Sequence, residues 1–215
     1  MAKYNVRICL DDECDKIEDC LACQRNALII CFLINFAMFA GEIYYGILEQ
    51  SASLIGDSAH NVGDAMILGS SLFVMTASQG AKARLALVKC VIWLVFGLLT
   101  FYHVGQNIIT GQVPNHLPII ILGAIALIGN IISTLLLQAY KEKDVNLKSA
   151  YICCRNDALG NLLIIIAGLL IMATGTNWPD IIVGMFIGLL VVYSAAKISK
   201  ESLIILQKRS TNIHL

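Results

Sequence analysis

The chain has 215 residues, 58% of them apolar and only 14% charged, and its mean hydropathy is +0.76. A soluble domain carries about 25% charged residues, so this composition excludes a soluble enzyme and a disordered chain. Fifteen cations balance fifteen acidic groups, which speaks against a nucleic-acid partner, and the class that remains is an all-α polytopic membrane protein.

Residues 1–26 read as a polar, acidic cytoplasmic tail that carries Cys9, Cys14, Cys20 and Cys23. It has no apolar run, so no cleaved secretory signal is expected. The spacing C-x4-C-x5-C-x2-C contains one CxxC and does not repeat it. Solvated thiols and an auxiliary metal site are both open readings, while disulfides are not expected in a reducing compartment.

A helix that crosses a bilayer needs roughly 20 mostly apolar residues. Six stretches qualify, at 27–48, 52–77, 85–105, 118–140, 149–173 and 180–203, with a short cytoplasmic tail at 204–215. Spans three and four come from one long uncharged stretch between Lys89 and Lys141, broken by GQNIITGQVPNHLP at 105–118. Fourteen of the fifteen cations lie in the N-terminal tail, in the final segment from Lys197 onward, in the loops after spans two and four, or at the foot of span three, where Lys89 is counted. The three opposite loops carry none, so both termini are expected in the cytoplasm. His103 and His116, near the outer ends of spans three and four, read as surface or interface histidines.

Ionisable side chains at membrane depth are costly and mark function by default. Span one carries Glu42, span two Asp57, His60 and Asp64, and span five Arg155 and Asp157. His60 and Asp64 stand at i and i+4 and share a helix face; Cys153 and Asp157 repeat that spacing in span five. Counted from opposite entries, His60 and Asp64 lie about 14 and 20 Å deep, and Cys153 and Asp157 about 8 and 14 Å. Two helices can then offer N, O, S and O donors to one ion, a set that suits a tetrahedral, borderline-soft cation such as Zn²⁺.

The structural reading weighs against this one. A lone intramembrane His or Asp can simply bond a neighbouring helix, and a Cys in an apolar helix is usually a small hydrophobe. Two i,i+4 pairs at matched depth favour a metal site. Cys154 is turned about 100° from Cys153 and is expected to be inert packing. Arg155, about 200° round the helix from Cys153, reads as a snorkelling or charge-balancing residue. Glu42 and Asp57 read equally well as proton-path groups or helix–helix bonds.

The stretch SASLIGDSAHNVGDAMILG resembles the second helix of the cation diffusion facilitators, with Asp57, His60 and Asp64 on the family's acidic pattern. AYICCRNDALGNLLIIIAGLL resembles their fifth helix, with Asp157 on its acid, and WPDIIVGMFIGLLVVYSAAKI their sixth. INFAMFAGEIYYGILEQSASL resembles the first, including Asn35 and Glu42. The resemblance covers about residues 27–203 and implies a homodimeric divalent-cation/proton antiporter of the cell (inner) membrane that exports Zn²⁺, Co²⁺ or Cd²⁺. By it the protein is no enzyme and carries no prosthetic group, only a transported divalent ion with zinc foremost.

Cys153 stands where many members have His, and the sequence reads as a short member without the family's C-terminal cytoplasmic domain. Gly184 and Gly188 form a GxxxG pair that could serve the dimer. Two other classes remain open: an intramembrane metallohydrolase, which lacks an HExxH string, and a non-transporting metal sensor or scaffold.

Overall fold

A computed structural model describes residues 21–74, 79–141 and 145–213. The described residues form six helices: α1 (Leu21–Leu48), α2 (Ala52–Val74), α3 (Gln79–Thr110), α4 (His116–Gln138), α5 (Val145–Thr174) and α6 (Trp178–Ile213). Five of them are long and apolar enough to cross a membrane. The exception is α2, whose sequence carries Asp57, His60, Asn61 and Asp64. With this domain built of apolar helices, the chain is a multi-pass integral membrane protein.

The packing explains why α2 tolerates its polarity. It sits among α1, α3, α5 and α6, and from Ser51 to Ser70 no residue is exposed. The other helices turn Leu, Ile and Val outward, as Leu33, Val95, Ile125, Leu159 and Leu189 illustrate. Those faces are the ones hydrocarbon would cover.

The structure differs from the sequence expectation at α1, at α3 and at His103, and α6 runs on to Ile213, through the segment read as a tail at 204–215. First, α1 starts at Leu21, inside the segment read as tail. Second, α3 runs through 105–110, and the break is confined to 111–115. The amide of Asn107 donates to the Gln50 carbonyl at 2.7 Å, and the Asn107 carbonyl accepts from Asn177 at 2.7 Å, so this last turn is tied down from both sides. Gly111 in the left-handed region (φ 68°) then stops α3, and Asn115 opens α4 by accepting from the Leu117 amide. Third, His103 is 9% exposed, a buried residue and not a surface one.

The tail cysteines need one correction. Cys23 is disulfide-bonded, where no disulfide was expected; Cys9, Cys14 and Cys20 lie outside the described residues. Cys23 is 1% exposed within a cluster of Ala27, Leu28, Cys31, Leu137 and Tyr140, a position that keeps solvent thiols away from its sulfur.

Gly184 and Gly188 also take another role than expected. A Cβ on Gly184 would fall 2.6 Å from Ala52 Cβ and 2.8 Å from its carbonyl carbon, and one on Gly188 would meet the Phe101 ring at 3.0 Å. The pair serves contacts inside the chain, where α6 crosses α2 and α3. It is not a free dimer face.

That close crossing brings Asp180 of α6 to the N-terminus of α2. Its carboxylate accepts from the Ala52 amide (2.7 Å), the Ser53 amide (3.2 Å), the Ser51 hydroxyl (2.7 Å) and the Ser53 hydroxyl. A helix start leaves amide donors unsatisfied and carries partial positive charge, so a fully buried carboxylate there meets both needs at once. Asp180→Ala should destabilise the detergent-solubilised protein by about 2–3 kcal/mol, because several buried donors lose one acceptor. Thermal unfolding is the measurement, and a variant with the wild-type midpoint would show that the cap contributes nothing.

Candidate metal site

The acidic groups of α2 lie on the faces that meet α1 and α5. Asp64 is 3% exposed and interacts through its side chain with Asp157 and Cys153 of α5. Cys154 joins them: its thiol donates to Asp64 Oδ2 at 4.0 Å, and the residue is fully buried. One α2 carboxylate thus gathers a carboxyl and two sulfurs from α5. Cys154 was expected to be inert. Adjacent helical residues are only about 100° apart, and Asp64 points into the angle between them.

His60 goes elsewhere. Its ring packs against Trp93 of α3, with centroids 5.8 Å apart and planes tilted by 64°. On an ideal helix Gly63 stands about 60° to one side of His60 and Asp64 about 40° to the other. His60 therefore sits on the border between the face that meets α3 and the face that meets α5. The structure brings together Asp64, Cys153 and Asp157 and leaves His60 beside them, turned to α3. Among the described residues, no three His, Cys, Asp or Glu side chains are grouped tightly enough to hold a metal ion.

Two residues that the sequence reading passed over complete this wall. Trp93 donates its indole N–H to the Ala59 carbonyl of α2 at 2.7 Å. Lys89, one turn earlier, is 5% exposed and places its Nζ 4.0 Å from the centroid of the Trp93 ring. Counted by sequence at the foot of span three, Lys89 lies ten residues into α3, about 15 Å along it. A buried ammonium needs compensation, and the aromatic face together with the nearby carboxylates supplies it. The signal in the sequence was the i,i+4 spacing of Lys89 and Trp93. Gly63 makes the approach possible, since a Cβ there would collide with the indole and would stand 2.8 Å from Lys89 Cε.

A second polar group borders the first. Asn61 donates to Glu42 Oε2 at 2.6 Å, and the Asp57 carboxyl lies within hydrogen-bonding reach of Glu42. Glu42, Asp57 and Asn61 are each at most 3% exposed, so this group ties α1 to α2 in the interior. A cavity of about 430 Å³ between α1 and α4, lined by Met38, Leu122 and Ile125 among others, reaches Glu42. Arg155 is exposed, on the side of α5 away from both groups.

A family profile described as the cation efflux transmembrane domain matches residues 28–207. Among curated relatives, the zinc transporter ZitB of Pectobacterium atrosepticum is 26% identical over 193 residues, covering 84% of this chain and 60% of that protein. The cadmium, cobalt and zinc/H(+)-K(+) antiporter of Bacillus subtilis is 24% identical over 199 residues, covering 86% of this chain and 64% of the relative. The metal cation efflux system protein CzcD of Cupriavidus metallidurans is 24% identical over 195 residues, covering 85% and 62%. The chain spans somewhat under two thirds of the length of these relatives. The match runs through all six helices, including α2 and α5, which carry the intramembrane acids, and by it the chain belongs to the cation efflux family.

Proposed function

We propose that this chain exports a divalent metal ion from the cytoplasm, with Asp64, Asp157, Cys153 and His60 as its transient ligands. The observation that carries the reading is the meeting of Asp64 with Asp157 and Cys153 at membrane depth, in a domain of the cation efflux family. Two carboxylates attract a dication strongly enough to offset part of its lost hydration. A thiol adds a soft donor, and His60 reaches the same point by a side-chain rotation away from Trp93. Family membership sets the enzyme reading aside. Relatives bear the names of zinc transporters and of a cadmium, cobalt and zinc antiporter, which supports Zn²⁺ and its neighbours as cargo.

Alternating access is the proposed mechanism, with protons as the counter-ion. Ligands must be deprotonated to hold metal, so binding releases protons and release takes them up. The cation bias of the loops supports both termini on the cytoplasmic side, in the cell (inner) membrane by family resemblance. A membrane homodimer is carried over from the family, with an interface other than the Gly184 and Gly188 contacts, which this chain uses internally.

Asp64→Asn or Asp157→Asn, reconstituted in proteoliposomes, should fold and lose zinc flux by about a hundredfold or more, as expected for a lost metal ligand. Normal flux in either variant would refute the site. The same assay separates a transporter from a sensor, which would bind metal without moving it. An inward proton gradient should accelerate export, and metal binding should weaken as pH falls from about 8 to 6, because protons compete for the ligands. Flux indifferent to pH over that window would indicate a uniporter. Cys153→Ser should lower cadmium transport more than cobalt transport, since only the softer ion loses a preferred donor. Equal losses would remove Cys153 from the ligand set.

A further inference from the structure

Lys89 has a place that the transport reading does not by itself require. Its ammonium rests on the face of Trp93, and its stem runs along Gly63, the α2 residue immediately before Asp64. Its charge acts on Asp64, on Asp157 and Cys153 across in α5, and on His60 beside it. These are the charged and titratable groups that α2 and α5 present to it. One buried cation therefore faces all four residues of the proposed metal site, from a third helix.

We propose that Lys89 is a tethered cation that competes with the transported metal: it supplies positive charge beside Asp64 and Asp157 when no ion is held, and it weakens the ion's hold once one arrives. The inference rests on the reading of Asp64 and Asp157 as metal ligands. Its physical basis is simple. Two carboxylates facing each other in a low-dielectric interior repel, and a fixed cation nearby lowers that cost. The same field acts on a dication with opposite sign. A site with only negative charge binds metal tightly and lets it go slowly, whereas transport requires binding weak enough for release. The Trp93 face holds the ammonium at the edge of the site, leaving the carboxylate oxygens to the metal.

The test is zinc titration by calorimetry on the full chain in detergent, paired with zinc flux in proteoliposomes. Lys89→Met keeps the length and apolar stem and removes the charge. It should bind zinc about tenfold more tightly, the scale on which groups beside metal ligands move affinity. It should also lower KM and turnover together, because metal is released more slowly. Lys89→Arg keeps the charge and should stay near wild type in both. A lysine that only packs on Trp93 would leave zinc affinity unchanged in Lys89→Met, and unchanged or weaker binding in a folded variant overturns the proposal. If Lys89→Met does not fold, Lys89→Gln is titrated in its place, with the same two outcomes. Adding Asp64→Asn to the Lys89→Met chain separates the two readings. Loss of the tightened binding upholds both, and zinc binding that persists would overturn the metal-site reading and this inference with it.

Discussion

Carboxylates cannot be left facing hydrocarbon, and the arrangement of this bundle follows from that constraint. The helix with two buried carboxyls, α2, is the one that presents no exposed residue from Ser51 to Ser70. Four helices, α1, α3, α5 and α6, pack around it, and the helices other than α2 turn Leu, Ile and Val side chains outward. Central placement requires close approach, which explains the small residues along the crossings: Gly63 admits Trp93, and Gly184 lies against Ala52. The charges and the glycines serve the same requirement.

The N-terminal end of α2 is fastened by polar groups in place of apolar packing. Asp180 caps it from α6, while Asn107 of α3 and Asn177 link the Gln50 carbonyl to the start of α6. These bonds run between segments far apart in sequence, and they set the depth and rotation at which α2 presents Asp64 to α5. A helix capped by its own residues could slide or turn against its neighbours at lower cost.

Within the interior, charge is balanced in two different ways. Asn61 donates to Glu42 and Asp57 lies within hydrogen-bonding reach of Glu42, which joins α1 to α2, while Glu42 Oε1, Asp57 Oδ2 and Asn61 Oδ1 are buried without a hydrogen-bond partner among the described residues. Around Asp64 the hydrogen bond with Asp157 is joined by thiols and by the field of Lys89. Thiols are weak donors and Lys89 is held by an aromatic face, so oxygen capacity remains at this group as it does at the first: Asp157 Oδ2, like Glu42 Oε1 and Asp57 Oδ2, is buried and accepts no hydrogen bond among the described residues. An interior built for stability alone would have filled that capacity.

The sequence by itself determined the membrane class, the six helices and the helices that carry the acids. Each of these depends on local composition and on spacing along one helix, and Asp64, Cys153 and Asp157 were all legible as i,i+4 members at matched depth. Helix ends were less legible, because the last turn of α3 is held by Gln50 and Asn177, which no local pattern reveals. Only the tertiary structure decided which way each side chain faces when it stands on a border. His60 lies between two faces of α2 and goes to Trp93; Cys154 lies beside Cys153 and still reaches Asp64; Lys89 reads as a cation at the foot of span three and is turned inside, onto Trp93. In all three cases the choice depends on which helix packs alongside, and in a bundle of apolar helices that is fixed by contacts between residues distant in the chain.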